Sequence, residues 1–187
     1  MKYLLIGLTL LSLSLGTALA AKKTKINVLK DYVEKVSKLT GVQYVYPKKL
    51  EGDIGLSKNF KLTKDNADSF LSYILSVNGY TRITESKKTF HIVPSRDVRY
   101  TPTKMYLANK NLFPNIPNNH DYALMTYDLK NKGFEENIVR SIRPFMSRYG
   151  RIISMKQLGN ILIQDTGKNL RRVYQLIKNV DRGSASK

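Results

Sequence analysis

The strongest constraint on the fold is a hydrophobic period that switches repeatedly between helical and alternating, in segments too short for a long bundle or a large sheet. Leu29, Tyr32, Val33, Val36 and Leu39 recur at helical spacing, with Lys30, Asp31, Glu34 and Lys38 on the other side. Gly41 predicts a C-cap, and VQYVY (42–46) then reads as a short strand ended by Pro47. A brief strand is expected around Gly52–Leu56. Thr63 caps a second helix whose apolar face is Ala67, Phe70, Leu71, Ile74 and Leu75, and Asn78-Gly79 marks a left-handed end. YTRITE and TFHIVPS then alternate around Ser86–Lys88, as a hairpin does. With a first strand near Lys25–Val28, the expected order is β-α-β-β-α-β-β.

Residues 98–121 break the pattern. Pro102, Pro114 and Pro117, with five asparagines and no sustained periodicity, predict a linker. Beyond it, YALMTYDL reads as a strand. Gly133 opens a helix with Phe134, Ile138, Ile142, Phe145 and Tyr149 on one face and Arg140 and Arg143 on the opposite, solvated face. Pro144 inside that helix should kink it or cost about 3 kcal/mol relative to Ala. RIISM and NILIQD form a hairpin around Leu158–Asn160. A final helix buries Leu170, Val173, Leu176, Ile177 and Val180. This second order is β-α-β-β-α, so the fold class is α+β with two small domains, 21–97 and 122–181. Residues 182–187 form a tail.

The first 20 residues carry Lys2, an apolar run from Tyr3 to about Leu15, and Ala18-Leu19-Ala20 as a small-x-small cleavage site. This is the layout of a secretory signal peptide cleaved after Ala20. The chain has no cysteine, so each domain must fold by its core alone, and thiolate metal sites and a cysteine nucleophile are excluded. Export without a lipidated cysteine fits a bacterial periplasm. Net charge is +18 and is spread over both halves: residues 21–97 hold 15 basic against 8 acidic side chains, and residues 122–187 hold 13 against 5. Such surfaces attract polyanions or an acidic partner protein.

No catalytic pattern emerges. His91 alternates with Phe90 and Ile92 and should face water, His120 falls in the linker, and neither has a second metal ligand at a matching spacing. Glu135-Glu136 suits a helix N-terminus, and Asp165 is placed to cap the last helix. The expectation is a protein that is not an enzyme and carries no cofactor. The basic side chains Arg140, Arg143, Arg148, Arg151, Arg171 and Arg172 form the candidate interaction surface, because a planar guanidinium binds two oxygens of a carboxylate or phosphate at once. A merely solvating basic face is the plainer reading of the same residues. The β-α-β-β-α order invites comparison with RNA-binding KH domains, but two strands separate the helices here and no GXXG loop occurs.

The stretches INVLKDYVEKVSKLTGVQYVY, EGDIGLS, LTKDNADSFLSYILSVNGYTRI and TFHIVP together resemble the first N-domain of secretins, itself similar to the short signalling domain of TonB-dependent receptors. TYDLKN, SIRPFMSRYG and GNILIQDTGKNLRRVYQLIKNVD resemble the following, KH-like secretin N-domain, in which even Pro144 has a place. The resemblance implies periplasmic modules stacked as rings beneath an outer-membrane channel, non-catalytic, and docking to components of type II secretion, type IV pilus or DNA-uptake machinery. Secretins continue into a membrane-inserting β-domain, whereas only RGSASK follows Asp181 here. Docking and self-association are therefore implied, and pore formation is not. A soluble exported binder of an anionic polymer such as DNA or lipopolysaccharide is the alternative.

Overall fold

The computed structural model describes residues 28–56 and 59–181. The signal peptide over 1–20 and the tail over 182–187 lie outside them, as does the strand expected near Lys25–Val28 except for Val28. That residue opens helix α1, Val28–Thr40. β1 (Gln43–Val45) follows, then α2 (Lys64–Val77), β2 (Tyr80–Ser86) and β3 (Thr89–Pro94). The hairpin strands β2 and β3 pair antiparallel, and β1 adds parallel to β3, giving the order β1-β3-β2. α1 and α2 cover this sheet with Leu29, Val33, Val36, Leu71 and Leu75, all buried, together with Ile92 from β3. Thr63 caps α2 as expected, in a box that Asn66 completes by accepting from the Thr63 N–H at 2.8 Å. α2 ends at Gly79, whose φ of +79° any residue with a Cβ would resist.

Residues Gly52–Leu56 are not a strand. The Asn78 side chain after α2 and Leu29 of α1 crowd Gly52, and Asn78 Nδ2 donates to the Asp53 carbonyl at 3.5 Å. Among the described residues the first module is therefore α-β-α-β-β. Leu39, expected on the apolar face of α1, is exposed.

The stretch expected to be a linker, in which Met105-Tyr106 and Leu112-Phe113 could dock on a module, contributes structure. A 3-10 turn, Ser95–Tyr100, buries Val98, and β4 (Met105–Asn109) pairs parallel with β5 (Tyr122–Asp128). Proline and asparagine on either side masked five residues that complete a sheet of order β4-β5-β7-β6, with β6 Arg151–Met155 and β7 Asn160–Thr166. Helices α3 (Glu135–Ile142) and α4 (Gly167–Val180) cover one face. Between them and the sheet lie Met125, Tyr127, Ile161, Ile163, Leu170, Val173 and Ile177.

The α3 helix is shorter than its pattern suggested. It ends at Ile142, and Pro144 sits beyond it in a 3-10 turn, Arg143–Phe145, where the missing N–H and fixed φ are tolerated without a kink. Phe145, expected on its buried face, is exposed in consequence; Phe134 at the N-cap of α3 and Val180 at the end of α4 are exposed as well. Asp165 is not the cap of α4 either. Thr166 caps it, accepting from the Asn169 N–H at 3.3 Å. The fully buried Asp165 instead accepts from Ser147 N at 2.8 Å and Asn169 Nδ2 at 2.8 Å, fixing the loop that leads into β6.

The junction between the modules is built from residues 117–122. His120 N donates to Ser72 Oγ at 3.2 Å and Tyr122 N to Thr81 Oγ1 at 3.3 Å. On the other side, Gly167 N and Lys168 N at the start of α4 donate to the carbonyls of Asp121 and Asn119. The Pro117 carbonyl and the Asn119 side chain occupy the place a Cβ on Gly167 would need. Gly167→Ala is expected to destabilise the protein by about 1–3 kcal/mol. Gly55→Ala, in open space, should stay within about 0.5 kcal/mol, with urea denaturation comparing the two.

Candidate docking surface and the buried clamp behind it

The amphipathic pattern of α3 buries Ile138, Val139 and Ile142 and thereby turns Arg140 outward. Arg143 follows in the exposed 3-10 turn. Nearby, Glu136 Oε2 meets Lys156 Nζ at 2.6 Å, and this hydrogen bond and charge hold the Glu136 carboxyl below its ordinary range, with Arg140 and Arg143 contributing less. Arg143 and Arg151 line one shallow groove with Met146, Ser147, Gly150 and Ile153. Arg172 reaches from α4 over the Phe145 ring, 5.4 Å from its centroid, beside Arg143. Arg148 lies over the ring of its neighbour Tyr149.

Arg171 does not join them. Its Nη1 donates to the Ile116 carbonyl at 2.8 Å and its guanidinium sits 4.9 Å from the Phe113 centroid. It braces the 113–116 segment against α4. Four of the six arginines, Arg140, Arg143, Arg151 and Arg172, thus gather around the end of α3 and the start of β6, Arg148 lies in the loop joining those elements, and Arg171 is structural.

The most consequential charged residue is one the sequence reading did not single out. Arg82 on β2 is almost wholly buried, and its guanidinium meets two carboxylates. Nη1 donates to Asp68 Oδ1 of α2 at 2.6 Å; Nε and Nη2 donate to Asp121 Oδ1 and Oδ2 at 3.0 and 2.6 Å. Tyr44 Oη accepts a longer bond at 3.4 Å, and the Phe90 ring lies 5.1 Å away. Burial works against the charged guanidinium, but the Asp121 charge and the hydrogen bonds it donates to Asp121 and Asp68 outweigh it and hold its pKa above the ordinary arginine value. An arginine in the middle of a strand was the available signal. Its second partner, 39 residues away, was not readable.

His120 is the second surprise. Although it falls in the segment expected to be a linker, it packs edge-on against Tyr73 at 5.3 Å, and its Nδ1 is buried without a hydrogen-bond partner among the described residues. Burial, and then the Lys168 charge, lower its pKa; Asp121 opposes them. His91 is half-buried in the hairpin. Among the described residues no group of three or more His, Cys, Asp or Glu side chains converges as a metal site would require. No helix among them is long and apolar enough to cross a membrane.

Comparison with known proteins agrees with this architecture. No family model matches the chain. Over 153 residues it is 17% identical to secretin XcpQ of Pseudomonas aeruginosa, covering 82% of this chain and 21% of that protein, so it spans about a fifth of the relative's length. The Klebsiella pneumoniae type II secretion system outer membrane complex of PulD, PulS and the PulC HR domain superposes over 82% of this chain and 25% of the matched one. The TM-score is 0.66 and the identity 14%. A crystal structure of the N-terminal domain of Pseudomonas aeruginosa XcpQ matches over 82% of this chain and 61% of its own at 16% identity, with a TM-score of 0.32. The chain is thus similar in sequence to a secretin over most of its length, and its fold matches part of a type II secretion outer membrane complex.

Two expectations follow from the junction. Arg82→Ala leaves two carboxylates facing each other without their cation and should cost about 3–5 kcal/mol, whereas Arg140→Ala should stay within about 0.5 kcal/mol; chemical denaturation followed by circular dichroism separates them. His120 has a folded pKa below its unfolded value, so the unfolded chain binds the proton more readily. Its contribution to stability is present above about pH 6.5 and is lost as pH falls through the folded pKa. His120→Asn should flatten the slope of melting temperature between pH 7.5 and 5.

Proposed function

We propose that this chain is a periplasmic, non-enzymatic docking module of a secretin-type envelope machine, serving type II secretion, a type IV pilus or DNA uptake. The observation that carries the reading is that sequence similarity to a secretin and fold similarity to a type II secretion outer membrane complex each extend over four-fifths of the chain, through both modules. The geometry supports docking over chemistry. Four of the candidate arginines gather on an open surface, Asp68, Asp121, Asp165 and Glu135 are spent on clamps and backbone N–H groups, and β1 and β6 are edge strands among the described residues. The second module makes lateral contacts with further copies, and the basic surface meets an acidic protein partner.

In-cell crosslinking of the tagged protein, read by mass spectrometry, tests this reading. Capture of a secretin or pilus-assembly component supports it. Capture of only the chain itself, with polyanions that moderate salt removes, overturns it. That second outcome would favour a binder of DNA or lipopolysaccharide, to which the net charge of +18 lends support. Replacing Arg140 and Arg143 together by alanine should weaken partner binding by about tenfold at low salt, and less at high salt, without shifting the unfolding transition. Pull-down titrations across salt concentrations check this, and unchanged binding would remove these two arginines from the surface.

A further inference from the structure

The helix-free face of the four-stranded sheet carries chemistry that the α3 surface does not use. Strand register sets Met105, Leu124, Gln164 and Arg151 in one cross-strand row and Leu107, Thr126, Leu162 and Ile153 in the next. Their neighbours along each strand supply the helix-covered core, so these side chains stand on the opposite face. One end of this face is closed by the 3-10 turn, where Gln164 Nε2 donates to the Val98 carbonyl at 3.1 Å. The other end is open, with Leu107 63% and Ile153 42% exposed. Where closed meets open lies a groove of about 300 Å³. Leu124, Leu162 and Ile153 form its floor, and Arg99 and Arg151 stand at its rim.

Neither rim guanidinium has a carboxylate partner among the described residues, whereas Arg82 holds two. Arg151 and Ile153 also line the groove beside Arg143, so the free edge of β6 is open from both sides. We infer that this groove docks an acidic peptide segment of a partner protein. The segment runs extended along the β6 edge, laying an apolar side chain on Leu124, Leu162 and Ile153 and setting carboxylates against Arg99 and Arg151. The inference rests on the docking reading above and names the chemistry of the partner.

Charge complementarity selects this occupant. A second copy of the chain would bring its own basic rim against this one. A nucleic acid would leave the apolar floor unused, and no aromatic side chain lines the groove to stack a base. The volume is at the lower limit of small-molecule sites and suits one side chain of a longer segment. A carboxylate matches the planar fork of arginine, and a strand edge supplies backbone hydrogen bonds to an extended chain.

The test uses the purified protein and fluorescein-labelled peptides of alternating Glu and Leu, with Glu–Ser and Lys–Leu counterparts, followed by anisotropy. The Glu–Leu peptide should bind about tenfold or more tightly than either counterpart. Arg99→Glu with Arg151→Glu should cost a similar factor, and Ile153→Ser should weaken binding. Lys35→Glu with Lys38→Glu on α1 should leave it within about twofold. Unshifted melting temperatures establish that the variants fold. Equal binding of the Glu–Ser peptide, an equal loss from the α1 reversal, or no binding of the Glu–Leu peptide overturns the groove. A photo-crosslinking residue placed in cells at Ile153, and separately at Arg140, separates the two readings. Capture of a secretion component from Arg140 and none from Ile153 sinks the groove alone. Capture of none from either position sinks the docking reading with it.

Discussion

The Arg82 guanidinium, shared between Asp68 on α2 and Asp121 just before β5, is the contact on which the relation of the two modules depends. A buried ion cluster is poor evidence for net stability, because desolvation offsets most of the attraction. Its value lies in geometry. Apolar surfaces tolerate sliding, whereas a planar fork facing a carboxylate on each side satisfies its donors in one arrangement. The hydrogen bonds to Thr81 and Ser72 repeat the same register in neutral form, and Asn119 supports Asp121 by donating to Oδ2 at 2.8 Å. The cluster therefore orients one module against the other.

This coupling also explains why the 117–121 segment is immobilised from both sides. Asp121 faces the first module with its carboxylate and the α4 N-terminus with its carbonyl, which accepts from Gly167 N at 2.9 Å. The first helical N–H groups of α4, which lack partners within the helix, are thus satisfied by the connection between modules. Gly167 is small because that connection passes where a side chain would be. Nearby, α4 holds β4 as well, since Tyr174 Oη donates to the Asn109 carbonyl at 3.1 Å. The last helix of the second module is therefore a post to which the connecting segment is tied at both ends.

Local patterns were legible in the sequence where one period governs a whole element. The faces of α1, α2 and α4, the β2–β3 hairpin and the caps at Thr63 and Gly79 follow from spacing and turn chemistry alone. Most of what failed has its origin in partners distant in sequence, and the end of α3 in a local proline. β4 is a strand because β5 offers it an edge, not because MYLAN alternates strongly. Gly52–Leu56 is irregular because helices, not a strand, lie beside it. α3 stops where Pro144 removes a donor, although the apolar spacing continues past it. Of the candidate arginines, Arg140 and Arg143 could be read from the helix period, while the fate of Arg171 depended on a carbonyl 55 residues away.

The same distinction separates charges that organise the fold from charges that remain for a partner. Asp68, Asp121, Asp165 and Glu135 are each tied to an arginine or a backbone N–H, so most of the negative charge near the junction is already committed. The basic side chains are far more numerous, and those at the end of α3 and along β6 have few such ties. A chain with this imbalance keeps its fold with a few well-placed acids and leaves its surface positive. On the docking reading proposed above, the acidic complement would come from another molecule. A short edge strand that begins with Arg151 resists pairing with its own kind, because two such edges would meet with like charge. On the same reading an acidic segment would meet that edge at no such cost, so the charge that guards the edge against self-pairing would also select its partner.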